Sequence, residues 1–279
     1  MSVLTLAQAA AWAQSLGLPR LEAQALLLHA MNHSMHDRAW LLAHGDDPLD
    51  HQVQTTFTSY TQRRLDTEPV AYITGQKEFF GLSLQVDQRV LDPRADTETL
   101  VEWALSCLAD VTSPEVVDLG TGSGAIALAL KHTRPDAQVC GVDASLDALA
   151  VAQANAQRLA LAVAFHHGDW LAPLRSRSFH AIVSNPPYVA SHDAHLTALK
   201  HEPLSALVAG ADGLDDIRQI VRQASEQLHP DGWLLLEHGF NQAHGVQTLL
   251  GNQGFVNVQS RRDLAGILRC SGGQWPTVK

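Results

Sequence analysis

The sequence predicts an α/β protein whose larger part is a parallel sheet with helices on both faces, preceded by a small helical part. Three observations carry that prediction. From residue 115 onward, short apolar β-rich runs alternate with helical ones, the pattern of strand–helix–strand units. Before about residue 70, apolar residues recur only at helical spacing. Between the two lies "QKEFFGLSLQVDQRVLD", residues 76–92, which alternates in places around Gly81 and reads as a β-hairpin. We therefore expect a helical domain over residues 1–72, a hairpin linker over 73–93 and a sheet domain over 94–279.

Bulk properties fit a globular chain. It has 279 residues, of which 46% are apolar and 17% charged, ample for a packed core. The formal charge of −10 disfavours non-specific contact with the phosphates of nucleic acid, although a local basic groove would still be compatible with it. Cys107, Cys140 and Cys270 lie far apart with no C-x-x-C pair, as expected of reduced thiols. The first residues, "MSVLTLAQAAAWAQSLG", lack a basic leader and read as an amphipathic helix. No apolar run approaches the ~20 residues that span a bilayer. The expectation is a soluble cytoplasmic protein without a membrane partner.

In the helical part, Leu21, Ala25 and Leu28 share a face. Gly17-Leu18-Pro19 ends the first helix, and Gly45 to Pro48 separates later ones. His29, His33 and His36 can share a face too, but no cysteine or nearby carboxylate completes a ligand set, so no metal is expected. After the hairpin, "DPRADTETLVEWALSCL" begins a helix whose acidic first turn is formed by Asp96, Thr97 and Glu98.

The chemistry begins with "VVDLGTGSGAIALAL". A strand ends at Leu119 and a helix follows Gly124. The loop between them, Gly120-Thr121-Gly122-Ser123-Gly124, has glycine at alternate positions, which lets a ligand approach the main chain. Amides at the start of the helix favour a negative ligand group. Nineteen residues past Gly124, the next strand ends at Asp143, where a carboxylate can accept both hydroxyls of an adenosine ribose. These features alone fit both NAD and S-adenosylmethionine. Asp118 tilts the choice, because its charge would repel a pyrophosphate and suits the ammonium of a methionine moiety. A third strand ends in "HHGDW", where Asp169 can accept the adenine amine and Trp170 can pack on the ring.

The fourth strand ends in "SNPPYV". Two prolines remove two backbone donors and fix two φ angles. Asn185 offers a side-chain acceptor and Pro186 a carbonyl of fixed direction, a pair that can hold the N–H groups of a planar –NH2, with Pro187 stiffening the corner and Tyr188 stacking on the group. An amide nitrogen is a poor nucleophile, so orientation beside a methyl donor is the main help a protein can give it.

At these residues the chain resembles the release-factor glutamine N5-methyltransferases of the HemK type. The resemblance runs from about residue 68 to 268 and rests on "EPVAYITGQKEFFGL", "VVDLGTGSGAIALAL", "GVDASLDALAVAQANAQR", "SNPPYV", "EPLSALVAGADGLD" and "DLAGILR". It implies a seven-stranded class I methyltransferase domain, a helical domain that meets the protein substrate, and methylation of the glutamine in the Gly-Gly-Gln loop of class 1 peptide chain release factors. By the same resemblance Gly120 to Gly124, Asp143, Trp170 and Asn185 bind S-adenosylmethionine, and Asn185 to Tyr188 hold the glutamine. Two stretches depart from the family pattern. Asp92 and Ala95 stand in "LDPRADTE" where an apolar residue and a proline are usual, so a looser first turn is expected there. "Glu237-His238-Gly239" replaces Glu-Ile-Gly, with a modest local effect expected.

Three other readings share some of these residues: a sister enzyme acting on a glutamine of a large-subunit ribosomal protein, an amino-methylating DNA enzyme, and a non-catalytic S-adenosylmethionine sensor. The acidic charge and absence of a Lys/Arg-rich recognition region count against DNA. The complete N-P-P-Y corner counts against a sensor. Near the C-terminus Gly272-Gly273-Gln274 copies the substrate tripeptide, which chance explains best.

Overall fold

The structure is a computed structural model describing residues 4–277. The first three residues of the expected N-terminal helix lie outside that range. The chain forms two compact units, Met1–Gln76 and Lys77–Lys279.

The first unit is helical: α1 (Leu6–Ser15), α2 (Arg20–Ala30), α3 (Arg38–Ala43), α4 (His51–Leu65) and α5 (Val70–Thr74). Thr5 and Gln8 form a capping box on α1, and Asp37 and Asp50 cap α3 and α4. The core gathers Leu6, Leu26, Leu27, Leu28, Leu41 and Phe57. His29 packs at a tilt against Tyr60 and His33 stacks on Trp40, so two of the three histidines on the expected face have aromatic partners. Gly75 ends α5 in the left-handed conformation at φ 71°.

The hairpin that follows is β1 (Gln76–Phe79) and β2 (Leu82–Gln85), and it is fastened within the second unit. Asn155 accepts from the Gln85 N–H and donates to the Gln85 carbonyl, like a neighbouring strand. A 3-10 turn at Ala95–Thr97 then leads into α6 (Glu98–Cys107).

The remaining elements are β3 (Glu115–Leu119), α7 (Ala125–Thr133), β4 (Gln138–Asp143), α8 (Leu146–Arg158), β5 (Ala164–His167), β6 (Phe179–Ser184), α9 (Asp215–Gln227), β7 (Leu228–Glu237), α10 (Ala243–Gln253), β8 (Val256–Arg262) and β9 (Leu268–Gln274). They form a seven-stranded sheet in the order β5-β4-β3-β6-β7-β9-β8. β3 to β7 run parallel, while β9 is antiparallel to both β7 and β8. Strand order reverses between β3 and β6, and such a switch point opens a crevice at the carboxyl ends. Val117, Leu119, Ile182, Leu234 and Leu236 from the strands pack with Ile217, Ile220 and Val246 from α9 and α10.

β9 was not expected as a strand. Cβ atoms on its Gly272 and Gly273 would lie 2.6 Å from the Leu234 carbonyl oxygen and 2.9 Å from Phe255 Cβ, so the glycines answer close packing there. Gln274 donates to the Asp231 carbonyl and accepts from Asn257, which leaves this Gly-Gly-Gln a structural segment. Cys107, Cys140 and Cys270 are free thiols. Among the described residues no helix is long and apolar enough to cross a membrane.

Candidate active site

A cleft of ≈ 930 Å³ opens at the carboxyl ends of β3, β4, β5 and β6. Gly120 to Ser123, Asp143, Asp169, Trp170, Asn185 and Pro187 line it, together with Thr97. Four successive strand ends thus converge on one space, as their order in the sequence anticipates.

The glycine loop is shaped by its own hydrogen bonds. Gly120, Gly122 and Gly124 have φ of 68°, 53° and 83°, a region costly for residues with a Cβ. The Gly120 and Thr121 N–H groups donate to the Val142 carbonyl, Gly124 N–H to the Thr121 carbonyl, and Gly122 N–H to Asp143 Oδ2 at 2.9 Å. Those four amides are therefore already engaged, and the expected use of loop amides for a ligand carboxylate does not extend to them. What the loop offers is room: a Cβ at Gly122 would meet nothing within 4 Å. Gly124 lies off the wall and packs closely, its virtual Cβ 3.1 Å from Leu128 Cδ1 and 3.3 Å from Ala152 Cβ.

Asp118 sits behind the loop, off the cleft wall, and its expected contact with a ligand ammonium is replaced by protein partners. Its Oδ2 accepts from the Thr121 hydroxyl at 2.7 Å and the Ala127 N–H at 3.2 Å, while Oδ1 is buried without a partner. Burial pushes this carboxyl up to about 7, opposed by those two hydrogen bonds and reinforced by Asp143. Asp143 lines the cleft and ties the loop to the next helix, its Oδ1 accepting the Ser145 N–H at 2.9 Å. A carboxylate oxygen has two lone pairs, so acceptor capacity is left for a diol.

Asp169 is exposed on the cleft wall. Trp170 has φ 49°, unusual for a bulky residue, and this turns its indole against Gly120, whose virtual Cβ would lie 3.5 Å from the ring. The indole also packs on the sheet core, so it serves as wall and core together.

Asn185 is the site's most telling residue. Its Nδ2 donates to the Thr97 hydroxyl at 3.2 Å, and its Oδ1 is buried with no hydrogen-bond partner. An unmet buried acceptor costs about 1–3 kcal/mol and calls for a ligand donor. Pro186 and Tyr188 are not on the cleft wall. The Tyr188 hydroxyl instead donates to Glu237 Oε1 at 3.5 Å, and its main chain is held by the Leu207 carbonyl and by Gln242.

Sequence reasoning passed over Thr97 and Glu237 as members of the site. The order of strand ends could have flagged Glu237, which closes the fifth strand. The two departures from the family pattern also find partners. Asp92 Oδ2 lies 3.1 Å from Arg94 and its Oδ1 3.1 Å from Lys77, while Arg94 reaches Glu202 at 2.5 Å. These ion pairs tether the segment in place of a stiffening proline. His238 is buried, with its ring nitrogens 2.9 Å from the Gly239 carbonyl oxygen and 2.7 Å from Ser271 Oγ, and burial lowers its pKa. At the opposite edge of the sheet, Glu115, His180 and His229 come together. There the Glu115 N–H occupies His180 Nδ1 at 3.1 Å, which commits that lone pair within the protein.

Known proteins resemble this chain in family and in fold. A family model described as "Methyltransferase small domain" matches residues 96–261, and one described as "PrmC N-terminal domain" matches residues 4–75. A release factor glutamine methyltransferase of Coxiella burnetii is 46% identical, with 90% of each chain covered. One from Pseudomonas aeruginosa is 47% identical, with 92% of each covered. Among solved structures, a T. thermophilus 16S rRNA methyltransferase in complex with AdoMet and guanosine superposes with a TM-score of 0.56 at 22% identity, over 71% of this chain and 49% of that one. A methyltransferase from Pyrococcus furiosus gives a TM-score of 0.55 at 16% identity, over 79% of this chain and 100% of that one. At such identities these two likenesses concern the fold.

Proposed function

Because the chain belongs to the release factor glutamine methyltransferases, we propose that it methylates the Gly-Gly-Gln glutamine of class 1 release factors and that Asn185 and Pro186 hold the amide. The chain is an S-adenosylmethionine-dependent methyltransferase acting on a release factor glutamine. A ribosomal-protein substrate is not favoured, since the curated relatives named above are release factor enzymes.

One observation carries the assignment of the site: the buried, partnerless Oδ1 of Asn185 beside the cleft. The cofactor supplies a methyl group on a positively charged sulfur. The residues suited to hold it are the Gly120–Ser123 loop, Asp143 at the ribose, and Asp169 with Trp170 at the adenine. The open space at Gly122 and the exposed Asp169 carboxylate both fit that ligand. Asn185 accepts one N–H of the substrate amide, and the main-chain carbonyl of Pro186, set between the cleft-lining Asn185 and Pro187 although Pro186 itself is off the wall, accepts the other. With both hydrogens held, the nitrogen is fixed in position, and orientation supplies up to about 7–11 kcal/mol in favourable cases. The added methyl makes the nitrogen strongly acidic, so its extra proton leaves without a dedicated base.

The test is direct. Purified release factor and labelled S-adenosylmethionine are incubated with the protein, and the label is located by mass spectrometry. Label on the Gly-Gly-Gln glutamine is expected. Label only on another protein or on DNA would overturn the proposal.

A further inference from the structure

Two prolines make the corner after β6 stiff and leave it poor in ties. Pro186 and Pro187 have no N–H to donate, and their rings fix φ. A residue that precedes a proline is confined to extended backbone, which restricts Asn185 and Pro186 as well. Such a unit moves as one piece, so its two ends decide where the Asn185 side chain and the Pro186 carbonyl sit. The upstream end is the strand itself, where the Ser184 hydroxyl donates to the Leu119 carbonyl at 2.7 Å. The downstream end is Tyr188, and its main chain is tied by two segments distant in sequence.

The first is residues 207–213 of the "EPLSALVAGADGLD" stretch, none of which lines the cleft. The Tyr188 and Val189 N–H groups both donate to the Leu207 carbonyl, at 3.1 and 2.8 Å, and the Ala209 N–H donates to the Val189 carbonyl at 3.0 Å. The second is Gln242, the residue that opens α10. Its Nε2 donates toward the carbonyls of Tyr188 at 3.0 Å, Asp212 at 3.2 Å and Gly213 at 3.4 Å, and its Oε1 accepts the Gly239 N–H at 2.8 Å. Nε2 carries two protons, and the shortest of its contacts is the one to the corner. One amide thus joins the corner, the 212–213 turn and the end of β7. The backbone around it leaves room for that junction. Gly213 has φ 75°, and a Cβ there would overlap the Tyr188 carbonyl oxygen and lie 2.8 Å from Gln242 Nε2. A Cβ at Gly239 would lie 3.0 Å from Gln242 Oε1. Arg218 pins the turn from outside through the Asp212 and Asp215 carboxylates.

We propose that Gln242 is a positioning residue: its side-chain amide clamps the Tyr188 carbonyl and so holds the Asn185–Pro187 corner where its two acceptors meet the glutamine amide. The proposal rests on the reading of the site above, in which Asn185 and the Pro186 carbonyl hold the two N–H groups. Gln242 does not line the cleft, so it acts only through the corner. Orientation is the main help that the corner gives, and a corner held less firmly loses rate. The residues suited to the ribose and adenine follow β4 and β5, and the amide of Gln242 has no hydrogen bond to them.

The experiment compares wild type with Gln242→Met and Gln242→Glu. Met keeps the length of the side chain and removes its donors. Glu keeps the acceptor for Gly239 and, when ionised, turns an oxygen toward the carbonyls in place of the donors. The measurements are kcat and KM on release factor, cofactor affinity and stoichiometry by calorimetry, and Tm, with kcat read well below the lowest Tm. Gln242→Met is expected to lower kcat about tenfold and Gln242→Glu up to about a hundredfold, the loss that misplacing a group by about 1 Å can produce. KM, cofactor affinity and stoichiometry stay near wild type. Wild-type kcat in Gln242→Met, or Gln242→Glu turning over as fast as wild type, would overturn the proposal. A loss of rate matched by a loss of cofactor stoichiometry would overturn it too, since Gln242 would then support only the fold. Wild-type protein that leaves the glutamine unlabelled would instead overturn the reading of the site, and this inference with it.

Discussion

Asn185 and Asp143 do different work, and substitution separates them. Replacing Asn185 by Ala removes an acceptor that no protein group meets and that the proposed function assigns to the substrate. A drop in turnover of about a hundredfold or more is expected, by analogy with the loss of one preorganised hydrogen-bonding group in a site. Circular dichroism and Tm should stay near wild type; near-normal turnover would rule the role out. Beside the ribose contact proposed for it, Asp143 has a structural part, since its oxygens hold the Gly122 and Ser145 N–H groups. Asp143→Ala should therefore weaken S-adenosylmethionine binding by roughly ten- to a hundredfold in calorimetry. Asp143→Asn keeps one acceptor oxygen for the loop and should fall between the two. Unchanged affinity in both variants would refute the ribose assignment. Asn185, Asp143 and the glycines were legible in the sequence because each follows a recognisable strand. Thr97 was not, since its place at the site depends on a partner 88 positions away.

Among the elements, β3 to β7 and their helices could be read from alternating apolar runs, whereas β9 could not. Its Gly272-Gly273 carries no apolar alternation in sequence, yet it forms a tightly packed stretch of strand. The position makes a prediction. A Cβ at Gly272 would also lie 2.6 Å from Leu235 Cδ2 and 3.1 Å from the Trp103 ring. Gly272→Ala should destabilise the protein by about 1–3 kcal/mol, the usual cost of overpacking, as read from urea denaturation. An unchanged midpoint would mean that the strand yields more easily than its packing suggests. The hairpin β1–β2 shows the opposite case. Its turn at Gly81 was readable, but its fastening by Asn155 of α8 was not, because a side chain that imitates a strand edge leaves no trace in local pattern.

For the molecule as a whole, the carboxyls buried behind the site set a pH dependence of stability. Asp118 is raised from 3.8 to about 7 in the folded state. A carboxyl raised on folding binds more protons in the native state, so its contribution to stability falls as pH rises from about 4 to about 7 and is level above that. His29, His180 and His238, lowered by burial, act in the opposite sense through pH 6.5. Comparison with Asp118→Asn removes their effect. The Tm of wild type relative to Asp118→Asn, without cofactor, should decline by several degrees between pH 4 and pH 7. A constant difference would show that Asp118 does not titrate in this range. By itself the sequence determined the alternating fold, the order of the strand ends and the residue types placed after them, because these follow from local periodicity and the backbone demands of glycine and proline. The tertiary structure alone decided which of those residues face the cleft. It engaged the loop amides internally, drew Asp118 and Tyr188 away from the wall, and set Glu237 and Thr97 beside Asn185. Which lone pairs remain free is settled by partners distant in the chain, and strand register is what brings those partners together.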